Sequence, residues 1–133
     1  MEQIKIVVRY ADGRVIKGYT RDFFPNKSLF HLHPADKPSG EGIEVLLKDL
    51  KAIFFVRDFE GKPSYNERKD FTEGKQSPGR KIEITFADGE MLVGTIMGYD
   101  PQRPGFFLFP PDPQSNNLRI FVVSKAVSKF RYL

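Results

Sequence analysis

Two histidines, His31 and His33, are the residues of this chain best suited by type to hold a metal. Their i, i+2 spacing puts both imidazoles on one face of a strand, and Asp36 follows closely, a start on a three-ligand site. The spacing supplies no third ligand, however, and where the same pattern recurs later in the chain the corresponding positions are Phe107 and Phe109. Positions that accept apolar rings read as surface or interface positions, so no metal site is assigned. With no cysteine in the chain, thiolate ligands and disulfides are excluded. Asp12 and Asp88 are the most tempting carboxylates, yet each sits in an Ala-Asp-Gly turn that accounts for it without chemistry. Serine is present, but no nucleophile occupies a G-x-S-x-G elbow, and no glycine-rich phosphate loop precedes a helix. The sequence therefore predicts no catalytic residues and no cofactor.

Cationic and aromatic residues raise a second chemistry. Arg9, Arg14, Lys17, Arg21 and Lys27, with Arg68 and Lys69 further on, could meet phosphates, and Tyr19 and Phe24 could stack on bases. Strand alternation lets Arg9, Lys17 and Arg21 line one patch. The net charge of +4 points the same way, but its distribution does not. Lys and Arg outnumber Asp and Glu by 9 to 7 over residues 1–56, by 6 to 5 over 57–80 and by 6 to 5 over 81–133, so no segment is a basic run. Nucleic acid is thus the alternative partner, with Arg9, Lys17, Arg21 and Lys27 as its candidate contacts. A cyclic-dinucleotide barrel of the PilZ kind would need an Arg-x3-Arg pair, which is missing, and a glycine where Asn26–His31 ends in histidine.

The elements that must position these groups are written twice. Lys5–Asp36 and Lys81–Asp112 follow one pattern at a constant offset, with no gap. Each copy opens with period-2 alternation: Ile4, Ile6, Val8 and Tyr10 share a face in the first, and Ile82, Ile84 and Phe86 in the second. Ala-Asp-Gly then predicts a tight hairpin. Strand two runs over 14–21 and 90–98, with Gly18 and Gly94 marking sharp curvature or close backbone approach. A proline-bearing loop leads to strand three, where Phe30/Phe106 and Leu32/Leu108 recur and Pro34/Pro110 end the run. Strand four follows at 42–47 and 118–123, with the offset now longer by one, then one helical turn and a fifth strand at 52–57 and 129–133. No segment has the length and period of a substantial helix. If Phe106 and Leu108 point inward, Phe107 and Phe109 point out, and adjacent exposed phenylalanines need cover from the first copy, the arm or another chain. Phe107 and Phe109, with their counterparts His31 and His33, are the candidate partner-binding residues.

Five short strands with glycine bends predict a small barrel per copy. At about 55 residues each copy is marginal alone, so the two should share an interface. The predicted organisation is a first barrel at 1–57, an arm and linker at 58–80, and a second barrel at 81–133. Phe59, Tyr65 and Phe71 make 58–72 an arm that packs across the junction, with 73–80 the linker proper.

An apolar residue followed by Asp-Gly and a second glycine further on (Gly13/Gly18, Gly89/Gly94) resembles the first motif of the Sm-like family. Val45–Leu50 and Val122–Val127 stand where its second motif would be. The resemblance implies an all-β chain of two tandem five-stranded Sm-like (SH3-like) antiparallel barrels, and many members of that family bind RNA as rings. Its RNA-contacting Asp falls on Asp100 in the second copy but on Phe24 in the first, and its Asn falls on Pro104 and Ser28. Its Arg-Gly is replaced by Leu46-Leu47 and Val123-Ser124. The RNA-contact set is therefore not retained, and the family's N-terminal helix is missing. The whole chain is similar to an uncharacterised bacterial tandem family of this architecture. The expected function is a non-catalytic interaction or regulatory adaptor module that binds a protein partner or forms a homodimer. MEQIKIVV lacks signal-peptide character and no apolar stretch approaches the length of a membrane span, so a cytoplasmic location off the membrane is expected.

Overall fold

The computed structural model describes residues 3–37, 39–60 and 79–133. They form ten antiparallel strands and two single 3-10 turns, in the same order twice over. The first half holds β1 (Ile4–Tyr10), β2 (Val15–Thr20), β3 (Leu29–Pro34), β4 (Ile43–Leu46), a turn at Leu47–Asp49 and β5 (Leu50–Val56). The second holds β6 (Arg80–Phe86), β7 (Met91–Ile96), β8 (Gly105–Leu108), β9 (Asn117–Val123), a turn at Ser124–Ala126 and β10 (Val127–Tyr132). Among the described residues no helix is long and apolar enough to cross a membrane.

Both Asp-Gly hairpins form for the reason their sequence suggests. Gly13 and Gly89 take φ of +100° and +93°, the left-handed region that a tight turn requires. In each, the preceding aspartate accepts from the backbone N–H two residues on: Arg14 N to Asp12 at 3.0 Å, and Glu90 N to Asp88 at 2.9 Å. Gly18 and Gly94 are sites of close approach. A Cβ there would lie 2.4 Å from the His33 carbonyl oxygen and 2.5 Å from that of Phe109. Any side chain would push strand two off strand three, so the bend needs glycine.

Pairing matches residue for residue between the halves: Ile6 opposes Phe55 as Ile82 opposes Tyr132, and Phe30 opposes Val45 as Phe106 opposes Val122. What joins the halves is a ladder. β5 pairs antiparallel with β9, with Ala52 opposite Val122, Ile53 opposite Phe121 and Phe54 opposite Ile120. The result is a curled seven-stranded sheet, β4-β3-β2-β1-β5-β9-β8, and a three-stranded sheet, β10-β6-β7. Reciprocal Thr95–Phe109 backbone hydrogen bonds of 3.0 and 2.9 Å tie β7 to the end of β8.

Every residue of β5 is buried, because each of its faces serves a different core. Ile53 and Phe55 join Ile6, Val8, Phe30 and Leu32 on one side; Ala52, Phe54 and Val56 join Ile82, Ile84 and Leu108 on the other. Period-2 alternation disappears in such a strand, and its sequence becomes a nearly continuous apolar run. In β10 the run is broken by Ser128, Lys129 and Arg131, all exposed. The expected contribution of an arm to the junction is described only at Phe59, which packs edge-on against Tyr19 at 5.3 Å and against the second core. Tyr65 and Phe71, with the rest of 61–78, lie outside the described residues.

Candidate functional site

The strand-three aromatics of the second half divide between two roles. Phe106 and Leu108 face the second core, as alternation requires. Phe107 faces the other way, into the first half's core, with its ring centroid 5.2 Å from Phe121, 5.9 Å from Phe55 and 6.4 Å from Phe23. Arg119 lies over both Phe107 and Phe55, at 4.3 and 4.6 Å, and its burial lowers the guanidinium's pKa. Most of Phe107 is therefore covered within the chain. Phe109 is not: it is 36% exposed and borders an open cleft of about 460 Å³. The cleft walls come from Pro25 in the first half and from Met97, Tyr99, Arg103 and Phe106 in the second. Met97 is 69% exposed and Tyr99 41%, while the Tyr99 ring is braced against Phe130 at 4.8 Å and Phe106 at 5.6 Å. A concave apolar surface braced from behind can hold an apolar side chain without reordering itself.

The histidines lie elsewhere. Four strands separate β3 from β8 in the sheet, so His31 and His33 do not belong to the Phe109 cleft. His31 Nδ1 is 2.6 Å from Asp22, whose other oxygen accepts the His31 backbone N–H at 2.9 Å. Burial would raise the Asp22 pKa, but these bonds outweigh it and hold the carboxyl below its usual value. His33 Nδ1 lies 3.1 Å from the Gly40 carbonyl and donates to it. Each imidazole thus anchors a neighbouring loop. Among the described residues no group of three His, Cys, Asp or Glu side chains could hold a metal.

Of the basic candidates, Arg9 and Lys17 share a face of the β1–β2 ladder, set by the Arg9–Val15 and Val7–Lys17 pairs. Lys17 Nζ donates to the Phe59 carbonyl at 2.9 Å, and Arg9 lies over Phe54 at 5.0 Å. Arg21 lies exposed beyond the end of β2, and Lys27 sits in the next loop over Phe24 at 4.9 Å. Arg68 and Lys69 lie outside the described residues.

A profile described as a family of unknown function, DUF6982, matches residues 2–133. The chain belongs to the DUF6982 family. No curated protein and no solved structure matches it.

Two features of this DUF6982 chain escape sequence reasoning. Lys51, a lone charge in the apolar run of β5, has a side chain only 11% exposed. It donates to Asp88 at 2.7 Å and to Glu90, and it lies over the Phe86 ring at 4.7 Å, so it clamps the first half to the second half's hairpin. Desolvation would lower its pKa, but the two carboxylates outweigh this and raise it; Lys51 in turn holds Asp88 below its ordinary value. The second feature is a cleft of about 520 Å³ between the halves, carrying Asn26, Lys27, Lys48 and Lys125 around an apolar floor of Leu47 and Val123. Lys48 and Lys125 hold the same place in the two copies, a correspondence visible in the sequence. That Lys27 joins them is not, because a loop brings it there.

Proposed function

We propose that this DUF6982 chain is a non-catalytic interaction module, built as two tandem Sm-like (SH3-like) barrels, that takes an apolar segment of a protein partner in the Phe109 cleft. The exposure of Phe109, Met97 and Tyr99 around one concavity carries this reading. Three large apolar side chains left open to water cost free energy, and a partner that covers them recovers it. Single exposed apolar residues are ordinary; three around a braced pocket are not. The test substitutes Phe109→Ser and Met97→Ser, leaving Phe107 alone because it serves the first core. The Phe109 backbone bonds to Thr95 survive the change. Partners captured by the wild-type chain from native lysate, after nuclease treatment, should be lost by the double variant at unchanged melting temperature. Capture that is equal for both proteins rejects the cleft.

A second reading has its own observation. The three lysines around the Leu47–Val123 cleft concentrate positive charge on a chain whose linear charge pattern is dispersed. They favour a single-stranded nucleic acid as alternative partner, with Lys27 shared between this cleft and the sequence-based candidates Arg9, Lys17 and Arg21. That partner would bind with affinity falling steeply as salt rises. Absence of binding to RNA or DNA oligonucleotides at low salt sinks it.

A further inference from the structure

Strand two leaves strand three differently in the two halves. In the second, Thr95 and Phe109 exchange both backbone hydrogen bonds, at 3.0 and 2.9 Å. Continued by two residues, that register would set Met97 opposite Phe107, but β7 ends at Ile96 and no such pair forms. The Phe109 cleft is the gap that results. Alternation decides what the gap exposes. Phe106 and Leu108 are hydrogen-bonded to β9, in phase with the 3.0 Å bond from the Ser124 N–H to the Pro104 carbonyl. The N–H and C=O of Phe107 therefore point the other way, toward the cleft, in phase with those of Phe109. Among the described residues neither group has a partner.

The first half shows the same position filled. His31 corresponds to Phe107, and its backbone N–H donates to Asp22 at 2.9 Å. Asp22 corresponds to Gly98, which has no side chain to offer. The chain takes the same course at both places, with a bend at Arg21 and at Met97 immediately after strand two. One half thus closes its strand-three edge with a carboxylate, and the other leaves the matching edge open beside exposed apolar side chains.

From this we infer that the cleft takes its partner as an extended strand, which adds to the free edge of β8. The inference rests on the cleft reading proposed above and names the form of its occupant. One residue of the segment accepts from the Phe107 N–H and donates to the Phe107 carbonyl, as Thr95 does for Phe109. Its side chain falls on the face that Phe107 and Phe109 share, beside the exposed Phe109 ring, and is therefore apolar. The complementarity is one of backbone dipoles, a donor and an acceptor side by side. A helix cannot answer both groups, because its own amides are spent within it. A free carboxylate accepts but does not donate.

The probe is a panel of capped seven-residue peptides in which threonine alternates with leucine, methionine or phenylalanine. Fluorescence anisotropy reads their affinity, and NMR reads amide exchange. In the free wild-type chain the Phe107 amide should exchange fast while those of Phe106, Leu108 and His31 exchange slowly. Bound peptide should slow Phe107 by about tenfold or more. N-methylation walked along the peptide should weaken binding about tenfold at an amide facing β8 and little at its neighbours, since one hydrogen bond is lost. Gly98→Asp gives the second half the carboxylate that the first half has. It should slow the Phe107 amide without peptide and weaken binding about tenfold, more than Gly98→Ala does, with the apolar rim unchanged. A Cβ on Gly98 meets nothing within 4 Å and the residue has no positive φ, so the fold accepts both variants. Binding that survives Phe109→Ser with Met97→Ser rejects the cleft reading and the inference with it. Peptides lost by that double variant, yet indifferent to N-methylation and to Gly98→Asp, keep the cleft and overturn the strand. No binding by any peptide of the panel, or a Phe107 amide still fast when peptide is bound, overturns it as well.

Discussion

Phe121 offers the sharpest test of how the halves are joined. It belongs to β9 in the second half, yet its side chain is fully buried in the first half's core, opposite Ile53 and with ring centroids 5.2 Å from both Phe23 and Phe107. Phe121→Ala leaves a void that the neighbouring rings, held in edge contacts, are poorly placed to fill. Truncation of a buried phenylalanine costs about 3–5 kcal/mol. An unfolding entropy of about 2.1 cal/mol/K per residue gives about 0.28 kcal/mol/K for 133 residues, so the midpoint should fall by about 11–18 °C. The distinctive expectation lies in where that loss is felt. Because β5–β9 pairing and both cores share one strand, the melt should remain a single transition, and native-state hydrogen exchange should quicken in β1–β3 and in β6–β7 alike. Phe86→Ala, in the opposite core and 1% exposed, should do the same from the other side. Calorimetry checks the first point and peptide-resolved exchange the second. If the wild type melts in two steps, or if Phe121→Ala leaves β1–β3 as protected as before, the shared-strand reasoning is refuted.

Three further expectations follow from the same contacts. Gly18→Ala and Gly94→Ala should each cost about 1–3 kcal/mol by forcing a carbonyl away from the new Cβ, read as a lowered urea midpoint. Phe107→Ser should destabilise the fold like a core truncation, whereas Phe109→Ser should stay within about 0.5 kcal/mol of wild type, as surface changes do. Lys51→Met should stay within about 1 kcal/mol of wild type at neutral pH, since the long stem keeps its contact with Phe86, the ammonium's desolvation is relieved and both carboxylates remain open to water. Its effect should depend on pH. Lys51 depresses the Asp88 pKa below 3.8, so the pair stabilises wild type above that value, and the contribution fades as pH falls through the lowered folded-state pKa. At the other end, the raised Lys51 pKa makes its share fully present below 10.5 and lost as pH rises through the folded value. Urea midpoints across that range should show wild type losing ground to Lys51→Met at both extremes; a constant difference would refute the clamp.

Much of the molecule was legible without coordinates, and the reasons are local. A tight turn between two alternating runs needs positive φ, and Asp12-Gly13 and Asp88-Gly89 announce it. Strand alternation separates Phe106 and Leu108 from Phe107 and Phe109, because successive side chains must leave a strand on opposite faces. Gly18 and Gly94 announce close approach, since no other residue lacks the Cβ that a facing carbonyl would strike. The single 3-10 turns before β5 and β10 were visible as well, within a residue or two.

Tertiary structure decided everything that depends on which edge meets which. Backbone donors and acceptors are alike in every strand, so no side-chain pattern names β9 as the neighbour of β5. The run Ala52–Val56 against Ser128–Tyr132 hints only that one fifth strand is buried on both faces and the other is not. Phe107 could be read as leaving its own half, but its cover by Phe23, Phe55 and Phe121 required the halves to be placed. Lys51 finds its carboxylates 37 and 39 residues away, beyond any spacing rule. The chain's own residues determine its turns, bends and faces, because those obey φ, sterics and period. The shared ladder and the Phe109 cleft belong to the tertiary structure, because they arise from pairing at a distance that hydrogen bonds permit but do not encode.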